Sequence, residues 1–301
     1  MNQKLLLKIK NLILTFIPEN SYLFKRLVII GIKINTRRTH RPLKYLKMGV
    51  HVTEHCNLNC RSCTALSPLV SEYFLDIESF EADLKKLSKI TDGKMESFFL
   101  TGGEPLLHPK IEEIIFLARS YFPKSDFSIM TNGLILHQMA DCFWQCCAQT
   151  SIRLLITRYP INIDIERIRE KAVLFKVNLS YTGGDSVPVK SMWKYPLDLE
   201  GKQSLKNSFN ICTQVNVCLT IKNGIIYPCN TIAGIEHFNR YFDKNLLLTS
   251  KDTLDINKVN NVEEIIQFLC TPKPFCKFCN RAGLELGLGF STSKKEISEW
   301  V

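Results

Sequence analysis

The stretch His51-Val52-Thr53-Glu54-His55-Cys56-Asn57-Leu58-Asn59-Cys60-Arg61-Ser62-Cys63 decides how this chain is read. It follows a β-prone apolar run, residues 49–53, and sets three thiols at C-x3-C-x2-C spacing on one tight loop. Clustered thiols at two- and three-residue gaps read as metal ligands when the compartment is reducing. Thiolates are soft donors that select zinc, copper(I) or iron–sulfur clusters. Three of them can hold three irons of a cubane and leave the fourth iron open, and an open position makes a metal centre catalytic rather than structural. The alternative is a structural zinc whose fourth ligand is His51 or His55.

Outward from this loop, apolar runs at residues 49–53, 97–101, 127–131, 151–157 and 176–181 read as strands. Between them, residues 77–90, 109–121, 137–147 and 164–175 carry apolar positions at three- and four-residue spacing and read as helices. Strand–helix alternation of this kind predicts βαβ units and a parallel sheet, open or closed into a barrel. Function then belongs at the carboxyl ends of the strands. The rhythm fades after Tyr181, where Gly183-Gly184 and the proline-bearing stretch 188–196 mark a boundary or long loop.

The 301 residues are 45% hydrophobic and 23% charged, which suits a globular chain with a sizeable core and excludes a disordered or collagen-like one. No run approaches the ~18 uninterrupted apolar residues of a membrane-spanning helix, and no signal-peptide pattern opens the chain. A cytoplasmic location is expected. The net charge of +10 has one source: residues 1–47 carry eleven Lys and Arg against Glu19 alone, and the remainder balances. A neutral body with a basic leader argues against nucleic acid as a partner.

At the end of the second strand stands Leu100-Thr101-Gly102-Gly103-Glu104-Pro105. Two glycines permit close backbone approach, and Glu104 suits an amino-acid ammonium group. By itself this reads as a turn before a helix. After the three-cysteine loop, and at a neighbouring strand end, it resembles the radical S-adenosylmethionine (SAM) superfamily over about residues 48–181. The resemblance implies an α/β fold built as a partial (β/α)6 TIM-type barrel. It implies a [4Fe–4S] cluster on Cys56, Cys60 and Cys63, and SAM held at its methionine end by Gly102, Gly103 and Glu104. Thr131 and Asn132 at the third strand tip, with Thr157 and Arg158 at the fourth, are further candidate SAM contacts. The implied reaction is reductive cleavage of SAM to a 5′-deoxyadenosyl radical that abstracts substrate hydrogen, with an electron donor such as flavodoxin or ferredoxin. One departure stands out: the family usually has an aromatic before the third cysteine, near the adenine, and here it is Ser62.

The tail reads differently. Asn223-Gly224 between two apolar triplets is a two-residue hairpin signal, and residues 262–269 read as a helix. Cys229, Cys276 and Cys279 resemble the ligands of the SPASM/Twitch modules appended to some radical SAM enzymes, here in the shorter form with one auxiliary [4Fe–4S] cluster. Family spacing selects Cys212 as the fourth ligand. Hairpin counting selects Cys218, which extrapolation sets opposite Cys229. Cys212 is preferred, leaving Cys218 as a hydrogen-atom donor or spare thiol; a structural zinc knuckle is the alternative for the whole module. Cys142, Cys146, Cys147 and Cys270 read as small core hydrophobes, and His108, His137 and His237 as ordinary histidines.

The organisation expected is a basic extension at 1–47, a radical SAM core at 48–204 and an auxiliary-cluster module at 205–301. The substrate expected is a small molecule or glycan precursor undergoing epimerisation or dehydrogenation, because the leader is too short for the leader-binding domain of many peptide-modifying relatives. A peptide maturase and a non-catalytic metal-held binding protein are the rivals. Residues 4–17 suit an amphipathic helix that stops before Pro18. It either packs on the open side of the barrel or attaches peripherally to an anionic membrane, where each basic residue contributes ~1 kcal/mol.

Overall fold

A computed structural model describes residues 46–182, 192–215 and 217–301. The leader, the Gly183-Gly184 pair and most of the expected boundary lie outside the described residues.

Five strands follow the expected rhythm: β1 (Lys47–Thr53), β2 (Ser97–Gly102), β3 (Asp126–Thr131), β4 (Arg153–Ile156) and β5 (Asn178–Tyr181). They pair in parallel and in sequence order, each with its neighbour. Parallel sheets are covered on both faces, so their strands are continuously apolar. Val50, Val52, Leu100, Ile129, Leu154 and Ile156 are accordingly sealed from solvent.

The connecting helices are α1 (Ile77–Thr91), α2 (Ile111–Tyr121), α3 (Asp141–Gln149) and α4 (Ile165–Phe175). Helix α1 starts where the Asp76 carboxylate accepts from the Ser79 N–H at 2.9 Å, and it ends at Asp92 in the left-handed region. Its buried Phe80, Leu84, Leu87 and Thr91 recur every three or four residues, as a helix lying on a sheet requires.

The later chain builds onto the same sheet. After β6 (Met192–Lys194) and α5 (Leu205–Asn210), the hairpin β7 (Thr220–Lys222) and β8 (Ile225–Tyr227) adds β7 parallel to β1. The expected register holds, with Lys222 opposite Ile225. Helix α6 (Asn230–Phe242), β9 (Leu254–Asp255), α7 (Val262–Cys270) and β10 (Glu285–Leu288) follow. The full order is β5-β4-β3-β2-β1-β7-β8-β9, an open sheet with six parallel strands, and β10 pairs separately with β6. A second apolar cluster joins Leu66 and Leu69 to Ile232, Phe238, Phe275 and Trp300, so the tail packs under the end of the cysteine loop.

Candidate active site

Cys56, Cys60 and Cys63 lie on the loop leaving β1, with Cys60 buried and the others partly so. Asn59 and Ser62 take positive φ, which curls the loop between successive thiols. The Leu58 N–H donates to the Cys56 sulfur at 3.4 Å. Burial pushes the Cys56 thiol up to about 11, so a bound metal has to displace its proton. The chain's last residues fasten the loop. Arg61 N–H donates to Ser291 O, Ser293 N–H to Asn59 O, and the Trp300 indole N–H to Cys63 O. No periodicity announces these partners, because they lie more than two hundred residues apart.

Glu104 is the hub of the strand tips. Its carboxylate is sealed from solvent and accepts from Thr131 Oγ1 at 2.7 Å, Asn132 N–H at 2.8 Å and Leu106 N–H at 3.2 Å. Burial pushes it up to about 7, against the pull of those three donors. Its own backbone N–H donates to His55 O, and its carbonyl accepts from Thr53 Oγ1. Two of the expected SAM contacts, Thr131 and Asn132, therefore serve Glu104. Asn132 also reaches the loop, donating to Asn57 Oδ1 at 2.8 Å. The glycine pair has a demand of its own. A Cβ on Gly102 would lie 1.9 Å from Thr53 O, and one on Gly103 the same distance from His55 O. The close approach is to the cysteine loop's own backbone.

Thr157 and Arg158 follow β4 as expected. Thr157 shares a 3.0 Å hydrogen bond with the Thr182 hydroxyl, and the Arg158 guanidinium sits 4.8 Å over the Tyr181 ring. Tyr159, which the sequence reading passed over, faces the three thiols and hydrogen-bonds Cys60; burial and the thiols push its phenol far up. Its one signal was its place at the β4 tip beside Thr157 and Arg158. Ser62 is buried, and its hydroxyl has no partner among the described residues.

In the tail, Cys212, Cys229, Cys276 and Cys279 line one cavity together with Phe209, Lys273 and Arg281. Cys218 does not line it. The β7–β8 ladder stops at Thr220 opposite Tyr227, and the chain turns before it, with Cys218 N–H donating to Gln214 O. The extrapolated pairing of Cys218 with Cys229 is therefore not made. Burial is the main cause raising the Cys229, Cys276 and Cys279 thiols, Cys276 to about 12.

Four thiols converging on one cavity, and three on the β1 loop, are soft donor sets of the kind that take zinc or an iron–sulfur cluster. We expect Cys212→Ala to lose the auxiliary iron and Cys218→Ala to keep it. Iron and sulfide analysis after anaerobic reconstitution checks this, and the reverse pattern would return the ligand to Cys218.

His237 has a structural place, in a buried charged cluster. Its Nε2 donates to Glu54 Oε2 at 2.9 Å, and the Arg240 guanidinium, which can only donate, faces its Nδ1 at 2.9 Å. Lys222 donates to the other Glu54 oxygen at 2.7 Å. Glu236 brings a third potential ligand atom beside Glu54 and His237, but the Lys222 ammonium already supplies the cation there. This buried cluster ties the residue two before Cys56 to α6 and β7. Burial pushes Glu54 up, yet the bonds and charges of His237 and Lys222 outweigh it and hold the carboxyl at about 2. A depressed folded value means stability present above the unfolded value of ~4.3 and lost as pH falls toward 2, on the order of 3 kcal/mol in all. Acid unfolding of Glu54→Gln should therefore show a shallower loss between pH 4 and 2 than the parent; equal slopes would refute it.

Cys146 and Cys147 are buried in α3 as expected, but Cys142 is exposed, with its thiol 3.7 Å from Glu112 Oε1. Cys270 is half-buried at the end of α7. His108 is structural, its ring bonded to Leu75 O and to the Lys110 N–H. His137 is half-buried in a short 3-10 turn and touches Gln138.

A three-thiol loop locked onto a strand-tip glutamate defines a class, and comparison agrees: residues 50–146 match the model of the radical SAM superfamily. Residues 50–146 therefore carry a radical SAM domain, and they supply the first three strands of the parallel α/β sheet. A domain of that superfamily implies a [4Fe–4S] cluster and SAM. Among curated proteins, the chain is 31% identical over 101 residues to the GTP 3′,8-cyclase of Campylobacter fetus subsp. fetus, covering 34% of this chain and 31% of that one. It is 32% identical over 138 residues to the GTP 3′,8-cyclase of Aliarcobacter butzleri, covering 46% and 41%. The chain thus spans about a third to two fifths of these relatives' length. Among solved structures, BtrN in complex with AdoMet and 2-DOIA aligns with a TM-score of 0.49 at 14% identity, covering 80% of this chain and 94% of that one. Among the described residues no helix is long and apolar enough to cross a membrane.

Proposed function

We propose that this radical SAM enzyme carries a catalytic core at residues 48–204 and an auxiliary [4Fe–4S] module at 205–301, and that it acts on a small molecule or glycan precursor. Cys56, Cys60 and Cys63 would hold a [4Fe–4S] cluster, which when bound with SAM would supply the one-electron reductive cleavage and radical hydrogen abstraction of this chemistry. The observation that carries the reading is the three-thiol loop pinned to buried Glu104.

The protein's own residues do the positioning. Glu104 fixes the β2 and β3 tips against the loop. Gly102 and Gly103 let the β2 tip close onto the end of β1 and the cysteine loop, beside the methionine end of SAM. Tyr159 covers the thiols and excludes water. Cys212, Cys229, Cys276 and Cys279 would hold the auxiliary cluster, as four soft donors around one cavity. Arg158 and the Thr157 and Thr182 hydroxyls at the β4 and β5 tips are polar groups that support a polyhydroxylated substrate undergoing epimerisation or dehydrogenation. A flavodoxin- or ferredoxin-like donor supplies electrons in the reducing cytoplasm. The membrane-surface role of residues 1–47 lies outside the described residues and stays part of this proposal.

The test is anaerobic. Reconstituted protein with SAM and a reductant should form 5′-deoxyadenosine and methionine. Nucleotide sugars, peptides and GTP are then compared for stimulation of turnover, and for deuterium transfer into 5′-deoxyadenosine. No 5′-deoxyadenosine under any condition would end the reading; stimulation by GTP alone would move the substrate to the cyclase class.

A further inference from the structure

The four-thiol cavity of the tail holds a guanidinium with no acid to balance it. Arg281 is 6% exposed, and it lines the cavity with Cys212, Cys229, Cys276 and Cys279. One terminal nitrogen donates to the Cys279 sulfur at 3.6 Å, and the group sits 4.9 Å over the Tyr195 ring. Its Nε is buried with no hydrogen-bond partner among the described residues. Lys273, 2% exposed, lines the same cavity and donates to Phe268 O while lying over that ring.

Among the described residues no carboxylate lines the cavity. Buried Asp252 accepts from the Phe275 N–H and from Thr249, which fixes the turn that presents Cys276, and its charge acts on Lys273 rather than on Arg281. Burying an uncompensated guanidinium costs several kcal/mol. The balancing anion therefore has to come from what the thiols hold.

A cubane on four thiolates is that anion. Its four ligand charges exceed the core charge by two in the oxidised state and by three after one-electron reduction. We propose that Arg281 is the counter-ion of the auxiliary cluster, and that its fixed charge raises the cluster's reduction potential, with Lys273 adding to the same field. This rests on the auxiliary-cluster reading above. The physics is general: hydrogen bonds to cluster sulfurs and local charge set the potential. A positive charge that cannot be titrated away stabilises the reduced state more than the oxidised one.

The experiment uses the full chain with Cys56, Cys60 and Cys63 replaced by alanine, so that only the auxiliary cluster titrates. Iron and sulfide are counted first, then the reduced cluster is followed by EPR through a potentiometric titration. Arg281→Gln is expected to retain ~4 irons and to be at least tenfold harder to reduce, about 59 mV downward for one electron. Arg281→Lys should recover most of that shift, and Lys273→Met should move the same way by less. An unchanged potential in Arg281→Gln at full iron overturns the proposal, and so does an equal shift in Arg281→Lys, because fork geometry rather than charge would then be responsible. Loss of iron in Arg281→Gln that Arg281→Lys reverses supports it; loss in both overturns it. If the triple-cysteine protein with native Arg281 binds no iron, the auxiliary-cluster reading is what fails.

Discussion

Replacing Cys56, Cys60 and Cys63 together by alanine should abolish SAM cleavage and leave ~4 of ~8 irons per reconstituted chain, because each cubane carries four. The two thiol sets stand on separate elements: one on the loop after β1, the other on α5's exit, the β8 end and the turn before β10. Loss at one set should leave the other filled. The fold should survive, since the loop's backbone bonds to Ser291 and Ser293 and its contact with Trp300 use main-chain groups that alanine keeps. Iron, sulfide and 5′-deoxyadenosine are the readouts. A triple variant that keeps its full iron, or still cleaves SAM, would falsify the assignment of the catalytic loop.

Glu104→Ala should be almost as damaging, for a different reason. Its carboxylate satisfies three buried donors, from Thr131, Asn132 and Leu106. Leaving a buried donor unpaired costs ~1–3 kcal/mol each, so the variant should lose about 3–9 kcal/mol and show a clear fall in thermal midpoint. Losing the tie between the β2 and β3 tips should slow SAM cleavage at least ~100-fold, equivalent to ~2.7 kcal/mol of barrier. Glu104→Gln keeps the shape and one accepting oxygen, and it should fall between the two. An alanine variant as stable as the parent would show that those donors find water or other partners.

The α/β architecture was legible because apolar periodicity is a local signal. The α1 range differs from its expected span by one residue, and the hairpin register came directly from Asn223-Gly224. The three-cysteine loop was legible through its spacing. The fourth tail thiol was not legible from hairpin counting, because the ladder ends at Thr220 and the chain turns so that Leu219 O accepts from Gly49 N–H. Cys212 reaches the cavity from the end of α5, which no strand register foretells. Glu54 with His237, and Arg281 with Tyr195, were invisible for the same reason. Each pair joins residues far apart in sequence, and an isolated histidine or arginine carries no mark of its eventual partner.

The fastening of the cysteine loop by residues 291–300 sets a timetable for biosynthesis. The loop emerges early from the ribosome, yet the bonds to Asn59 and Arg61 and the indole contact to Cys63 await residues made much later. At ~5–20 residues per second, the 237 positions separating Cys63 from Trp300 take about 12 to 47 s to translate. For that interval three thiols sit on an unfastened loop, open to stray metal and to oxidation. Stable cluster uptake should therefore await translation past Trp300, and a nascent chain stalled before Ser291 should take up no stable iron at this loop.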